Sequence, residues 1–562
     1  MRYAALVVSI VGMLVFAGFA SFHSMSIVGV SAGWIAAAFA ALTALGVYDL
    51  LQRHHALKRN YPILANIRFV LEKVRPEIRQ YFLESDLDGT PFNRTKRAVV
   101  YQRAKKALET RPFGTEKDVY ATGYEWLAHS LAPARVVDHD FRVRVGGPDC
   151  EHPYDISLFN ISAMSFGSLS ANAIRALNKG AKIGGFAHDT GEGGFSAYHR
   201  EFGGDIIWEI GSGYFGCRKP AETPQTVVTA ADERQIEQPR RREYQFCEEK
   251  FTALAASPQI KMIEIKLSQG AKPGHGGVLP GKKVTPEIAA ARDVEVGVDC
   301  VSPAAHSAFS TPLEMMAFIT KLRKLSGGKP VGFKLCVGHK TEFMALCKAM
   351  VESGVAPDFI VIDGKEGGTG AAPLEFTDHI GYPLREGLTF AHNCLVGAGL
   401  RGRVKLGASG RVVTAFDIAR TLSLGADWCN AARGFMFAVG CVQSQSCHTD
   451  RCPTGVATQN KWRQRAIVVP DKAQRVANFH AGTLHALGEL IAAAGVTHPA
   501  QVGRERVMRR ASSTKVESFA EVYPQIEAGC LLNGRADAEY AALWEQADPA
   551  SFQPKPRVKA AA

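Results

Sequence analysis

Hydrophobic and polar positions follow three different patterns along this chain. The first is near the N-terminus, where two almost unbroken apolar runs, Ala4 to Ala20 and Ile27 to Val47, are joined by SFHSMS. A bilayer-crossing helix needs roughly 20 residues, which the second run meets and the first only just. From residue 52 to 135 the spacing is helical. IRFVLEKVRPEIRQYF and NRTKRAVVYQRAKKALE place apolar residues three and four apart, with Pro76 interrupting the first. From about Tyr154 the third pattern begins, with short β-rich runs followed by glycine-rich loops and separated by helical segments. The runs are ISAMSFG, GGFAHDTGEGG, IIWEIGSG, KMIEIKLSQGAKPGHGG, VGFKLCVG, DFIVIDGKEGGTG, VKLGASGRV and ADWCNAARG. Eight such units predict a (β/α)8 barrel rather than an open doubly wound sheet. A ninth run, VDCVSPAAH, is expected as an inserted strand or loop. Past Asn460 the pattern is helical again, as in AQRVANFHAGTLHALGELIAAAG. The expected organisation is a two-helix membrane hairpin over 1–50 and a helical juxtamembrane or cap region over 51–150. The barrel follows over 151–465, and a helical C-terminal region over 466–562.

Charge placement sharpens this picture. The net charge is +12, and residues 51–79 hold seven Lys or Arg against two Glu. That block follows the second apolar run, and Arg2 precedes the first, so both ends of the hairpin are expected on the cytoplasmic side of the inner membrane, with the catalytic body facing the cytoplasm. A cleaved signal peptide, with Gly18 and Ala20 at the cleavage site, is the competing reading; the second run and the basic block argue against it. No basic stripe interleaved with aromatics and no zinc finger points to nucleic acid.

Candidate chemistry gathers at the strand ends, where a barrel builds its active site. The loops after the seventh and eighth runs, GASGRV and NAARGF, offer Gly410 and Arg411, and Ala432 and Arg433, to a phosphate such as that of flavin mononucleotide. DGKEGGTGAAP, with Gly367 and Gly368, suggests backbone pressed against a ligand. IEIKLSQGAKPGHGG carries Lys266, Gln269 and Lys272, and VGFKLCVG carries Lys334 within an apolar strand. A lysine pointing into a barrel needs an anion, a flavin or a carboxylate partner. Glu192 in TGEGG is either that partner or catalytic. No G-x-G-x-x-G follows an early strand, so a dinucleotide-binding unit is not supported.

Of the 12 cysteines, three fall in CVQSQSCHTDRCPTGVATQ, spaced C-x5-C-x4-C-P at Cys441, Cys447 and Cys452. Disulfide pairing would leave one over, and a structural zinc site usually has four ligands in closer pairs. Three thiolates on one loop suggest an iron–sulfur cluster with one corner missing.

ISAMSFG, TGEGG, QGAKPGHGG, GGTGAAP and the cysteine run resemble, in that order, the flavin domain of glutamate synthases, over roughly residues 154 to 465. The resemblance implies FMN held by Ala163, Met164, Ser165, Lys334, Gly367, Gly368 and the two phosphate loops. It also implies a [3Fe–4S] cluster on the three cysteines, and reduction of 2-iminoglutarate, formed from 2-oxoglutarate and ammonia, to L-glutamate. Lys266, Gln269 and Lys272 would hold substrate carboxylates, and Lys334 would stabilise charge on the reduced flavin. The large enzymes begin with an amidotransferase domain whose N-terminal cysteine hydrolyses glutamine, whereas the first cysteine here is Cys150. The amine is therefore expected as free ammonia, another amine, or ammonia from a separate amidotransferase subunit. Electrons are expected from a ferredoxin or a separate reductase. Two other readings compete. A 2-hydroxy-acid oxidase would want a histidine in the loop after the sixth strand, which DGKEGGTG lacks. A membrane-associated electron relay would need no carboxylate pocket.

Overall fold

The computed structural model describes residues 2–23, 26–221 and 244–555. The chain divides into two units, 1–94 and 95–562. In the first, helices Ala4–Phe22 and Ile27–Leu51 are both long and apolar enough to cross a membrane. They pack on each other through the stacked rings of Phe16 and Phe39, 5.9 Å apart, and through Thr43 Oγ1, which donates to Ser9 Oγ at 3.1 Å. Ser24 and Met25, within the expected connection, lie outside the described residues. Buried Asp49, at the end of the second helix, accepts the Ile63 N–H at 3.0 Å and the Asn66 amide at 2.5 Å. The turn after the helix is thereby fixed.

The second unit is a closed parallel barrel. Its strands are β1 (Phe159–Ile161), β2 (His188–Asp189), β3 (Ile206–Ile210), β4 (Ile260–Lys266), β5 (Val331–Leu335), β6 (Phe359–Asp363), β7 (Lys405–Ser409) and β8 (Trp428–Ala431). Closure is made by β8 against β1, with Cys429 opposite Phe159, Asn430 opposite Asn160 and Ala431 opposite Ile161. Each strand falls within or immediately before one of the eight runs read from the sequence. The near-continuous apolar character of β3 to β6 reflects burial on both faces, as a parallel sheet requires. The ninth run is an insertion: Cys300–Val301 pairs antiparallel with Val278–Leu279 inside the excursion that follows β4.

Outside the barrel the structure differs from a wholly helical cap and tail. Past helix Arg94–Lys105, strand Glu125–Leu127 pairs antiparallel with Val507–Arg510, which pairs in turn with Val516–Ser518. Arg142–Val145 pairs with Tyr154–Ser157. These strands have three or four residues each, too short to show a period of their own. The first unit also runs to Arg94 instead of ending near residue 50. Helix Val469–Ala493 lies against helix Ala171–Gly184 and the foot of β1, where His480 Nε2 meets Ser157 Oγ at 2.9 Å and the His480 ring stacks on Phe186 at 4.0 Å.

Candidate active site

Four neighbouring strands put charge into the barrel interior. Asp189 of β2, Glu209 of β3 and Glu264 of β4 converge on the ammonium of Lys334 from β5. Lys334 Nζ contacts Glu209 Oε2, and lies 3.1 Å from Glu264 Oε1 and 3.9 Å from Asp189 Oδ2. All four side chains are buried. Burial would lower the lysine, but Glu209, Glu264 and Asp189 raise it well above its usual value. Burial raises Glu264 to about 7 against the pull of Lys334, with Glu209 adding to the rise. One cation cannot neutralise three carboxylates in a dry interior, so the cage retains a proton near neutral pH.

Two residues further along β4, Lys266 reaches the mouth, and its Nζ lies 3.0 Å from Glu192 Oε2 in the loop after β2. Burial alone would raise Glu192, but Lys266, then Arg292 and Lys272, hold it down at about 2. It is an anion throughout the physiological range. Glycines make room for it. A Cβ on Gly277 would come within 2.1 Å of Glu192 Oε1, and one on Gly211 within 2.9 Å of Oε2. Gln269 and His275 line the same recess. Lys272 Nζ donates to Ala371 O at 3.2 Å, tying the loop after β4 to the loop after β6. Asp363 at the end of β6 makes a second tie, accepting the Gly270 N–H at 2.7 Å and the Ser409 hydroxyl at 2.6 Å.

The Ala163–Ser165 stretch after β1 lies against the loop that carries Glu192, where a Cβ on Gly191 would come within 2.8 Å of Ser165 N. Arg292 Nη2 donates to Ser165 Oγ at 3.3 Å and to Phe166 O at 3.2 Å. Across the mouth, Arg433 lies against Gly368, and its Nη2 donates to Glu366 O at 2.5 Å. Burial first, and then neighbouring Arg411, push Arg433 down to about 10. Two guanidinium groups that repel each other are a fit for a phosphate, which would relieve both. A cavity of about 230 Å3 opens here, lined by Lys96, Glu366, Arg385, Gly410, Arg411 and Arg420.

Beyond β8, helix Arg433–Val439 leads into the cysteine loop. The three thiols converge closely enough to influence one another. Burial pushes Cys441 up to about 12 and raises Cys447. Burial would raise Cys452 too, but hydrogen bonds from the Ala457 N–H and from Thr454 hold it below its usual value. The Gln443 N–H reaches Cys441 Sγ at 3.4 Å. N–H donors aimed at sulfur suit thiolates that bind a metal centre.

Glu192, Lys266 and Gln269 thus line one recess, with Lys272 near enough to act on Glu192, and Gly410 and Arg411 line another, with Arg433 against Gly368 and near enough to Arg411 to feel its charge. Ala163, Met164 and Ser165 share the loop after β1, and Gly367 and Ala432 lie beside Gly368 and Arg433 in the chain. Lys334 sits deeper, among carboxylates. Arg292, Asp189, Glu209 and Glu264 are absent from the sequence reading. The last two carry a visible signal, a carboxylate flanked by apolar residues within a strand (IIWEI, MIEI), the counterpart of the signal that singled out Lys334.

The profile described as a conserved region in glutamate synthase matches residues 140–497. The chain is 37% identical over 504 residues to the glutamate synthase large subunit-like protein YerD of Bacillus subtilis, covering 83% of this chain and 91% of that one. It is 33% identical over 337 residues to the archaeal glutamate synthase [NADPH] of Methanocaldococcus jannaschii, covering 60% of this chain and 58% of that enzyme. It therefore spans somewhat over half the length of that relative. Among solved structures, a flavocytochrome b2 mutant with pyruvate bound matches at 12% identity with a TM-score of 0.39, covering 89% of this chain and 96% of that one. The family match over the whole barrel and the charged mouth agree: the chain belongs to the glutamate synthase family and is a glutamate synthase-like oxidoreductase.

Proposed function

We propose that this chain carries FMN and a [3Fe–4S] cluster and reductively aminates 2-oxoglutarate, through its imine, to L-glutamate or an N-substituted glutamate. The observation that carries this reading is the recess at Lys266, Lys272 and Arg292. Three cations gather there around one carboxylate, Glu192, leaving positive charge to receive a dicarboxylate. FMN, when bound, supplies the hydride for the imine carbon. Arg411 and Arg433 hold its phosphate, and the Ala163–Ser165 backbone with Gly367 and Gly368 borders its ring. Lys272 and Gln269 take the substrate carboxylates. Glu192, ionised at any working pH, holds the Lys266 ammonium at the recess. Lys266 is thus the nearest proton source for the nitrogen that gains charge on reduction. Lys334, fixed in its cage, acts on the flavin through its field.

Cys441, Cys447 and Cys452 would hold the cluster that passes electrons inward from a ferredoxin or a separate reductase. The amine is ammonia or a primary amine, free or delivered by a separate amidotransferase subunit. The N-terminal hairpin would anchor the enzyme in the inner membrane with the barrel in the cytoplasm.

The test is anaerobic turnover of the full-length, chemically reduced protein with 2-oxoglutarate and either ammonia or methylamine, with products identified by mass. Glutamate or N-methylglutamate is expected. A flavin-loaded protein that forms neither, and whose flavin fluorescence ignores 2-oxoglutarate, would be an electron relay instead.

A further inference from the structure

The chain leaves the second apolar helix by a fixed route. Past Leu51 a short helix, Ala56–Asn60, is followed by helix Leu64–Ile78, which runs on into a π-helical turn, Arg79–Leu83. Just before that longer helix Ile63 takes a φ of 70°, a left-handed conformation that a β-branched residue rarely adopts. Asp49 accepts its N–H at 3.0 Å, and its side chain lies against Gly46, where a Cβ would come within 3.1 Å. Asp49 also accepts the Asn66 amide. The first turn of Leu64–Ile78 is therefore tied to the last turns of Ile27–Leu51.

That helix has two faces. On one, Ala65 is buried, and the Phe69 ring lies 5.3 Å from His55 with the Lys58 ammonium 5.2 Å from its centre. The other carries Ile67, Val70, Leu71, Val74 and Ile78 at helical spacing, all of them exposed. Tyr81, Phe82 and Leu83 prolong the stripe, with Phe82 83% exposed. Contiguous apolar surface on this scale marks a binding surface. Arg68, Arg75 and Arg79 form a row along one border of the stripe. Arg68 pairs with Glu72 at 2.8 Å and Arg79 with Glu84 at 3.0 Å, and Arg75 is exposed between them. An apolar stripe edged with cations suits a bilayer surface, where acyl chains take the one and anionic headgroups the other.

We propose that helix Leu64–Ile78 and the turn after it lie in the plane of the membrane surface. The apolar stripe then rests on acyl chains and the arginine row on anionic phospholipid headgroups. The proposal rests on the hairpin reading, which ends Ile27–Leu51 at the cytoplasmic face; the tie through Asp49 then leaves Leu64 at headgroup depth. A second copy of the chain would also cover the stripe. Its matching surface brings the same three arginines and no surplus of acid to meet them, so the border favours lipid. A stripe of this size binds a surface reversibly, so the hairpin remains the anchor and a chain without it stays in solution.

The experiment places the full-length protein in nanodiscs of mixed phosphatidylcholine and phosphatidylglycerol. Each lipid in turn carries a photoreactive diazirine near the head of one acyl chain, and cross-linked peptides are mapped by mass. Peptides within 4–51 report the hairpin, and those within 64–83 report the helix. Both are expected to be labelled, the second several-fold more from phosphatidylglycerol than from phosphatidylcholine. Val70→Asp combined with Val74→Asp is expected to cut labelling of 64–83 about tenfold, and Arg75→Glu to reduce the phosphatidylglycerol preference. All three positions are exposed, so hairpin labelling and the unfolding midpoint are expected to stay at wild-type values. A labelled hairpin with an unlabelled 64–83 overturns the in-plane helix, and so does labelling of 64–83 that is unchanged in the double variant. Equal labelling from both lipids overturns the headgroup contact. An unlabelled stripe in a protein that is dimeric, and that the double variant makes monomeric, assigns the stripe to a second copy instead. No labelling in either region removes the hairpin reading and the proposal with it, a different failure from the others.

Discussion

Lys334 Nζ lies 3.1 Å from Glu264 Oε1, and neither side chain reaches solvent. Glu264 titrates near 7 in the folded chain against an ordinary 4.5, raised first by burial. The folded state therefore holds this proton more tightly than the unfolded state does. The stability it adds is complete below pH 4.5 and is lost as pH rises through about 7. Asp189 is raised by the same burial and acts in the same direction. Thermal unfolding of the full-length protein should show a midpoint that falls across this window, and Glu264→Gln should flatten the fall. Lys334→Met leaves three carboxylates without their cation and should cost about 3–5 kcal/mol.

At the mouth the sign is opposite. Glu192 is held at about 2 by its cations, against the effect of burial, so its contribution is present above 4.5 and lost only in acid. Between pH 5 and 8 it should leave no inflection in a rate profile. Removing its charge should still matter. Glu192→Gln frees Lys266 from a charged hydrogen bond worth roughly 1.5–3 kcal/mol, and kcat/KM for 2-oxoglutarate should fall about ten- to a hundredfold at full flavin occupancy. Steady-state kinetics with flavin content measured alongside would check this.

The Arg411 and Arg433 pair makes a separate prediction about retention. Loss of one charge-assisted phosphate contact costs roughly 1.5–3 kcal/mol, or about ten- to a hundredfold in affinity. Arg411→Ala, an exposed change, should release flavin on dialysis without lowering the unfolding midpoint of the flavin-free protein. Full retention would place the phosphate elsewhere.

For the cysteine loop the expected inventory is three irons per chain, no zinc, and a visible chromophore that persists once flavin is removed. Changing Cys441, Cys447 or Cys452 to Ser should abolish the iron signal in metal analysis and in low-temperature paramagnetic resonance. Turnover driven by a small reductant that reaches the flavin directly should survive.

A chain beginning at Gln52 should stay in solution without detergent and keep its flavin. Partition of that protein into the membrane fraction, or a mature wild-type N-terminus near Ser21, would remove the hairpin from the account.

The barrel was readable because each of its strands is a short apolar run ended by glycines, and such runs repeat at intervals that a crossover helix fills. The inserted run VDCVSPAAH stands apart from these, because it pairs antiparallel with Val278–Leu279 across the helix Pro286–Arg292, inside the excursion after β4. The charged recess was readable in part. Lys266, Gln269 and Lys272 share one loop, but Arg292 reaches Ser165 from the far end of the excursion after β4, a meeting that local spacing does not encode. The cage escaped because Asp189, Glu209, Glu264 and Lys334 stand on four strands and meet only when the barrel closes. The strands at 125–127 and 507–510 escaped because partners so distant in sequence leave no trace in either segment alone.

Gly277 and Gly211 stand on either side of the Glu192 carboxylate, each too close for a methyl group. A chain with alanine at position 277 would keep every ionisable side chain of the recess but would force the Glu192 carboxylate to shift. The ion pair between Glu192 and Lys266 would then be displaced by the addition of one carbon atom. The geometry of this ion pair therefore depends on two residues with no side chain at all.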